Sequence, residues 1–278
     1  MEEEVSQRHP CFFDQAHGKY GRIHLPVAPK CNLQCLYCNR KFNCVHESRP
    51  GVSANILTPK EAVAIVQRLV SDRPQLTVVG IAGPGDPMAN PHETLETFAG
   101  IKRCCSHLLL CLSSNGLALP TYLDDLLSLG VHYVTITVNA VDVNIGAQLI
   151  RFAMDEDTKL EGREAAALLL ERQEQSIRLL TQKGVFVKVN TVVIPNLNAN
   201  HVCDIAEKVA QWGAARMNCI PLLPVAGTAF ANCKEPEPSL IANVRKNAAV
   251  YLPQMWHCVR CRADAFGLLG EKTFLAQY

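Results

Sequence analysis

The chain of 278 residues is long enough for one large α/β domain, and its 48% hydrophobic and 19% charged residues can supply a sizeable core. The formal net charge of +1 gives no indication of nucleic-acid or membrane binding, and no apolar run reaches the roughly 18 residues of a transmembrane span. The acidic residues 1–5 lack the apolar segment of a signal peptide, and thirteen cysteines without an export signal indicate metal binding or catalysis. We therefore expect a cytoplasmic protein in a reducing, anaerobic setting.

Six short apolar runs rich in β-branched residues alternate with helical patterns along the chain. The runs predicted as strands are residues 22–28, 76–81, 108–112, 132–138, 185–194 and 216–221. The predicted helices begin at a capping box formed by Thr58 and Glu61 and continue at residues 91–104, 121–129, 161–183, 200–211 and 239–252. This alternation favours a parallel sheet covered by helices. Six units predict an α/β fold, a partial (β/α)6 TIM-like barrel, as a single domain over residues 1–278.

Three closely spaced cysteines follow the first predicted strand. Cys31, Cys35 and Cys38 have the spacing C-x3-C-x2-C, and their thiolates can hold three corners of a [4Fe-4S] cubane, which takes four thiolates when fully ligated. The fourth iron is then open to a reactive ligand. A zinc knuckle or buried thiols are the alternatives, but zinc sites usually have a second ligand pair close by. The motif is similar to that of the radical S-adenosylmethionine (radical SAM) enzymes, which implies a barrel of that type and S-adenosylmethionine bound to the open iron.

Small and polar residues near the ends of later strands are candidates for the cofactor site, because ligands of such barrels bind at the C-terminal ends of the strands. Gly83, Gly85 and Asp86 form a turn at which the backbone can approach a ligand closely, although a simple tight turn is the alternative. The further candidates are Asn115, the alternating Thr135, Thr137 and Asn139 on one face of strand four, Asn190, Ile220, and Tyr37 against the adenine. The similarity to radical SAM enzymes implies that the turn pairs with the methionyl amine and that the polar row meets the ribose and carboxylate.

Five further cysteines lie outside the C-x3-C-x2-C motif in suggestive places: Cys11, Cys44, Cys111, Cys258 and Cys261. The last two form a C-x2-C, for which a redox pair is the alternative, although no thioredoxin-like βαβ unit follows it. Cys111 lies on a predicted strand, where a buried apolar thiol is the commoner interpretation. The remaining cysteines have no metal-binding spacing and are predicted to be structural: Cys104, Cys105, Cys203, Cys219 and Cys233.

Several stretches of sequence together resemble the NifB family of nitrogenase cofactor maturases. They are His9-Pro10-Cys11 and residues 31–41, 47–52, 80–87, 114–117, 135–137 and 258–267. Many members of that family carry a C-terminal carrier domain, whereas this chain ends at Tyr278, so we expect a standalone form. The sequence of residues 217–221 differs from the one that is commoner in that family, so the resemblance does not define that wall of the cofactor pocket.

The resemblance implies that two [4Fe-4S] clusters are fused around a carbon to give an [8Fe-9S-C] precursor. One cofactor molecule would donate its methyl group to a cluster sulfide, a second would supply the radical that abstracts hydrogen from it, and a ninth sulfur would enter from elsewhere. The implied ligands are Cys11, Cys258 and Cys261 for one substrate cluster, carried on flanking segments 1–21 and 253–278 that close over the barrel, and Cys44, Cys111 and His24 for the other. His24 is otherwise a core histidine, and Glu47 and Arg49 would handle protons or position the cofactor carboxylate.

Two other classes of protein stay open at this point. One is a radical SAM enzyme that uses auxiliary clusters to modify a peptide or a small molecule. The other is a non-catalytic iron–sulfur carrier. For the maturase, the implied partners are iron–sulfur cluster donors, an electron donor, and a carrier or scaffold protein that receives the product, with neither nucleic acid nor membrane involved.

Overall fold

The computed structural model describes residues 7–39 and 49–275. The strands in chain order are β1 (Gly21–His24), β2 (Leu33–Cys35), β3 (Leu76–Ile81), β4 (Leu109–Ser114), β5 (Val131–Thr137), β6 (Ile150–Asp155), β7 (Thr158–Glu161), β8 (Phe186–Val193), β9 (Arg216–Pro221), β10 (Ala265–Gly267) and β11 (Thr273–Phe274). The α-helices are α1 (Pro59–Asp72), α2 (Pro91–Cys104), α3 (Leu123–Ser128), α4 (Val143–Ala147), α5 (Gly162–Gln182), α6 (Val202–Gln211) and α7 (Pro238–Ala248).

The main sheet consists of six parallel strands in the order β1-β3-β4-β5-β8-β9, and β10 and β11 extend it at the β1 edge. Each crossover between parallel strands carries a helix, and the apolar face of each longer helix packs on the sheet. The predicted α/β fold with a parallel sheet of partial-barrel type is thereby confirmed. No helix among the described residues is both long and apolar enough to cross a bilayer.

The start of α1 follows the predicted local chemistry. The Thr58 side chain accepts a hydrogen bond from the Glu61 backbone N–H, and the Glu61 carboxylate accepts one from the Thr58 backbone at 2.8 Å. Pro59 occupies the first helical position, where its missing N–H costs nothing. The capping box is therefore confirmed, and it fixes where the chain turns after the cysteine loop.

β1 is shorter than the predicted strand over residues 22–28. The chain leaves the sheet after His24, because Pro26 has no N–H for a strand ladder and the Val27 N–H turns back to the Leu25 carbonyl. Leu25, Val27 and Ala28 remain fully buried, so the apolar run packs as loop rather than as strand.

A small second sheet, in the order β2-β6-β7, was not predicted from the sequence. β6 and β7 form an antiparallel hairpin whose turn includes Glu156 at φ 51°. β2 carries the start of the cysteine motif and pairs antiparallel with β6, with Gln34 opposite Phe152. This pairing anchors the cysteine loop to a segment more than a hundred residues away.

The C-terminal segment connects the two edges of the main sheet. Gln254 forms an isolated parallel bridge with Met217 of β9, and Phe266 of β10 pairs antiparallel with Ile23 of β1. Residues between these contacts therefore run from one edge of the open sheet to the other. The N-terminal segment lies against the same region, where His257 contacts the Pro10 carbonyl at 2.8 Å.

Candidate active site

The three cysteines of the C-x3-C-x2-C motif line one cavity of about 290 Å³. Cys31, Cys35 and Cys38 are half-buried, and none forms a disulfide. β2 fixes the loop from one side through its pairing with β6, and the Cys38 N–H donates to the Cys35 carbonyl at 3.1 Å. The three sulfurs thus reach a common space that a ligand can enter.

The turn after β3 packs directly on the cysteine loop. The Gly85 N–H donates to the Ala28 carbonyl at 2.6 Å, and a Cβ on Gly85 would lie 1.9 Å from the Lys30 carbonyl oxygen. Gly83 has φ +126°, which favours glycine. Gly85 and Asp86 line the cavity, whereas Gly83 does not. The need for glycine at position 85 therefore comes from contact between two protein loops.

Asp86 connects this turn to the loop after β4. Its buried carboxylate accepts hydrogen bonds from the Ser114 hydroxyl at 3.0 Å and from the Asn115 N–H at 2.6 Å. Burial raises the pKa of Asp86, and these hydrogen bonds oppose that rise. Asp86 thus positions Asn115, in addition to lining the cavity itself.

Asn115 contacts the cysteine loop directly. Its side-chain amide donates to the Asn32 side-chain oxygen at 2.7 Å and lies 3.8 Å from the Cys31 sulfur. Its own oxygen accepts the Leu117 N–H at 2.8 Å, which fixes the orientation of the amide. The sequence-predicted Asn115 therefore lies between the strand ends and the first cysteine.

The predicted polar row at the end of β5 and just after it lies beside the cavity. Thr137 and Asn139 line the cavity, and Thr135 lies one step deeper and does not. The Asn139 amide donates to the Tyr37 hydroxyl at 2.7 Å. Burial, reinforced by Cys35, raises the pKa of Tyr37 well above its usual value, so the ring stays a neutral phenol. Asn139 thereby holds the aromatic ring of the cysteine motif in the cavity wall.

Of the remaining predicted residues, some line the cavity and others lie outside the described residues. Asn190, Ile220 and Arg49 line the cavity, and Arg49 donates to the Asn39 carbonyl at 2.8 Å. Glu47 and Cys44 lie outside the described residues.

Gln173 and Arg260 are among the cavity-wall residues that were missed from the sequence. Gln173 is buried on α5 and donates to the Asn115 carbonyl at 2.9 Å and to the Thr137 carbonyl at 2.8 Å. The sequence feature that could have identified Gln173 is a polar side chain on the apolar face of a long helix. Arg260 lines the same cavity, inside the C-x2-C, and adopts φ 52°. A wider second cavity of about 660 Å³ also contains Arg260 and Ile220, and Cys258 lines it.

A second group of thiols lies near β1. Desolvation raises the pKa of the half-buried Cys11 thiol to about 11, with Cys261 and Cys258 adding to the rise. These three sulfurs are therefore within electrostatic range of one another. Arg22, a buried residue of β1, donates to the Cys261 sulfur at 3.2 Å. The structure thus brings together the three cysteines that the resemblance assigned to one cluster.

His24 and Cys111 lie in one row across the sheet with Gly80 between them. Gly80 pairs with His24 on one side and with Cys111 on the other. A Cβ on Gly80 would lie 3.3 Å from the His24 ring and 3.8 Å from the Cys111 Cβ, so the glycine leaves open the space between them. Burial lowers the pKa of His24 to about 4, so its ring is neutral at pH 7. The ring nitrogen Nδ1 lies 2.9 Å from the Arg262 carbonyl; as a donor there, it leaves the lone pair on Nε2.

The thiols of the cysteine motif fit the donor set of an iron–sulfur cluster. Among residues 7–39 and 49–275, no three His, Cys, Asp or Glu side chains converge closely enough to hold one metal ion. A cubane has its iron atoms at separate corners and accepts thiolates spaced around it. The half-buried Cys31, Cys35 and Cys38 fit that donor set.

The radical SAM superfamily profile matches residues 25–209, which include the cysteine motif and most of the parallel sheet. This chain belongs to the radical SAM superfamily. Membership implies a [4Fe-4S] cluster and S-adenosylmethionine as cofactors, and the thiols and polar groups around the cavity fit both.

Relatives within this superfamily extend the comparison beyond the matched region. The chain is 44% identical over 265 residues to the FeMo cofactor biosynthesis protein NifB of Chlorobaculum tepidum, covering 95% of this chain and 62% of that protein. It is 47% identical over 267 residues to NifB of Klebsiella pneumoniae, covering 95% and 57%. The predicted resemblance to NifB is confirmed, and the chain spans about three fifths of the length of these relatives.

Among solved structures, the fold is similar to that of SuiB from Streptococcus suis. The TM-score is 0.61 at 12% identity, and the match covers 84% of this chain and 48% of that one. At this identity the likeness supports the fold alone.

Proposed function

We propose that this chain is a radical SAM maturase that makes the iron–sulfur precursor of the nitrogenase cofactor. Its substrates are two [4Fe-4S] clusters, a carbon from the methyl group of S-adenosylmethionine, and a ninth sulfur, and its product is an [8Fe-9S-C] cluster. The similarity to NifB over 95% of the chain supports this assignment. The observation that carries it is the second group of thiols: Arg22 of β1 contacts the Cys261 sulfur at 3.2 Å, and Cys11 lies within electrostatic range of Cys258 and Cys261.

In this proposal, Cys31, Cys35 and Cys38 hold three irons of the resident cluster. The polar wall made by Asn115, Thr137, Asn139, Asn190 and the turn at Asp86 holds S-adenosylmethionine, with Tyr37 and Ile220 as further walls. When bound, these groups would supply a methyl group and a hydrogen-abstracting radical. Asn115 orients the cysteine loop through Asn32, and Gln173 ties two strand ends together, so both act by positioning.

The substrate clusters would lie deeper in the barrel. Cys11, Cys258 and Cys261 would bind one of them, and Cys44, Cys111 and His24 the other. Three ligands for each cluster, one of them a neutral imidazole, give weaker attachment than the four thiolates of a permanent cluster. Such attachment suits a substrate that must leave as product. The second cavity, lined by Cys258 and open to solvent, offers a route for that exit.

The proposed reaction requires partner proteins at three steps. Two clusters must be delivered, an electron must be supplied, and an oxygen-sensitive product must pass to a carrier or scaffold protein. We therefore expect the reaction to take place in a reducing cytoplasm, as the thirteen cysteines of the chain also suggest.

Iron and sulfide counting tests this proposal. After anaerobic reconstitution, we expect three cubane clusters, about twelve irons per chain. Electron paramagnetic resonance of the reduced protein should resolve a signal that changes on adding S-adenosylmethionine and others that do not. A fully reconstituted sample with about four irons would contradict the proposal and favour a simpler radical SAM enzyme. Failure to cleave the cofactor under reducing conditions would instead favour an iron–sulfur carrier.

A further inference from the structure

Lys188 is a buried lysine in the middle of β8, with 6% of its surface exposed. In the sheet register it pairs with Thr135, and two residues further along, Asn190 pairs with Thr137. Asn190 and Thr137 line the cavity, and side chains two apart on a strand share a face. Lys188 therefore faces the barrel interior one step below Asn190 and Thr137.

Cys111 lies one step deeper again. It pairs with Tyr133, two residues before Thr135 on β5, and it shares its face of β4 with Ser113, which lines the cavity. Along the barrel axis, Lys188 thus lies level with Ser113, at the floor of the cavity, and one step above Cys111. This is the space that the proposed function assigns to the substrate clusters.

The ammonium group of Lys188 has weak partners. It lies 5.1 Å from the centre of the Phe12 ring and 3.8 Å from the Met255 sulfur. Within residues 7–39 and 49–275, no carboxylate lies within ion-pairing distance of it. Burying an ammonium without a counter-ion is costly, and an aromatic face with a thioether offsets little of that cost. A negatively charged ligand in the same space would remove this cost of burying the ammonium group.

The groups around Lys188 are those that would hold such a ligand. Burial raises the pKa of Cys111 to about 12, and the charge of Lys188 opposes the rise. The same charge opposes the burial-driven rise at Cys11 and adds to the burial-driven fall at His9 and at His24. The ammonium is therefore within electrostatic range of ligands from both proposed cluster sites.

We propose that Lys188 is the counter-ion of the substrate clusters, positioning them through its charge and through N–H···S hydrogen bonds to cluster sulfide. The inference rests on the proposed function, because a [4Fe-4S] cubane held by three thiolates is a net anion, and one held by two thiolates and a neutral imidazole becomes an anion on reduction. Lys188 is a positioning residue in this assignment, and it forms no bond to iron.

The test compares Lys188→Met, which keeps the length of the side chain and removes the charge, with Lys188→Arg, which keeps the charge. Lys183→Met, at an exposed position after α5, is the matched control. Reconstituted proteins are challenged with an iron chelator under anaerobic conditions. Lys188→Met should release the irons of the substrate clusters about tenfold to a hundredfold faster than wild type, the factor expected for losing one hydrogen bond to a charged group. Its substrate clusters should also reduce at a more negative potential, while Lys188→Arg and Lys183→Met stay near wild type.

Thermal unfolding of the cluster-free chain separates this role from a structural one. Without clusters, Lys188→Met should be at least as stable as wild type, because it removes a buried charge that has no counter-ion. A cluster-free variant less stable than wild type, or one that retains substrate clusters and potentials unchanged, would overturn the inference while leaving the proposed function standing. A wild-type chain with about four irons would instead overturn the proposed function, and the role of Lys188 with it.

Discussion

Replacing Cys31, Cys35 or Cys38 with alanine is expected to abolish formation of 5′-deoxyadenosine. A site with two thiolates should neither hold the cubane securely nor present its open iron to S-adenosylmethionine. The loss should exceed about a hundredfold, since loss of an outer-shell partner of a metal ligand alone costs about 10–100-fold. The measurement is quantification of 5′-deoxyadenosine after anaerobic incubation with cofactor and a reductant.

Cys233→Ala is the matched control for this experiment, because Cys233 is an exposed free thiol. That variant should form 5′-deoxyadenosine at the wild-type rate. The alanine variants of Cys31, Cys35 and Cys38 should also retain the iron bound by the other thiols, so that the defect lies in one cluster rather than in folding. Continued cleavage of the cofactor by any of these three variants would show that the cluster is held elsewhere.

The second large effect is expected for the Cys258→Ala, Cys261→Ala double variant. In the proposed reaction the methyl group must reach a cluster sulfide before any hydrogen can be taken from it. Loss of the accepting cluster should therefore remove methyl transfer and everything that follows. Acid quenching after addition of methyl-labelled cofactor should release methanethiol from wild type and none from the variant.

We assign the methyl-accepting cluster to Cys258 and Cys261 because of where these cysteines lie in the fold. Cys258 and Cys261 lie in the segment that runs between the two edges of the main sheet, and Arg22 contacts Cys261 from β1. Cys11 reaches the same region from the N-terminal segment. Methanethiol at wild-type levels from the double variant would move the acceptor to the site of Cys44, Cys111 and His24.

The parallel sheet was predictable because most of its strands are short runs rich in apolar and β-branched residues. Residues 76–81 and 216–221 were predicted at the bounds that the structure has. The small sheet was not predictable, since it pairs Gln34 with Phe152 through short polar strands that carry no continuous apolar signal. The end of β1 was overestimated because buried loop and buried strand share the same composition.

Local motifs located part of the site, and sheet register located the rest. The spacing of Cys31, Cys35 and Cys38, and the alternation of Thr137 with Asn139, are visible within a few residues of sequence. That His24 and Cys111 flank Gly80 follows from strand register, which a single sequence does not specify. Lys188 did carry a signal, as a lone charge within the apolar run 185–194.

The most direct test of the proposed carbide insertion is the fate of the methyl carbon of S-adenosylmethionine. Reconstituted protein is incubated anaerobically with methyl-¹⁴C cofactor, a reductant and a sulfur source, and the product cluster is extracted into an organic solvent and analysed for iron and label. We expect one labelled carbon to travel with about eight irons, as the fused [8Fe-9S-C] product requires. Extracted clusters of about four irons without label, with the label confined to methanethiol or to an organic product, would contradict cluster fusion around a carbide.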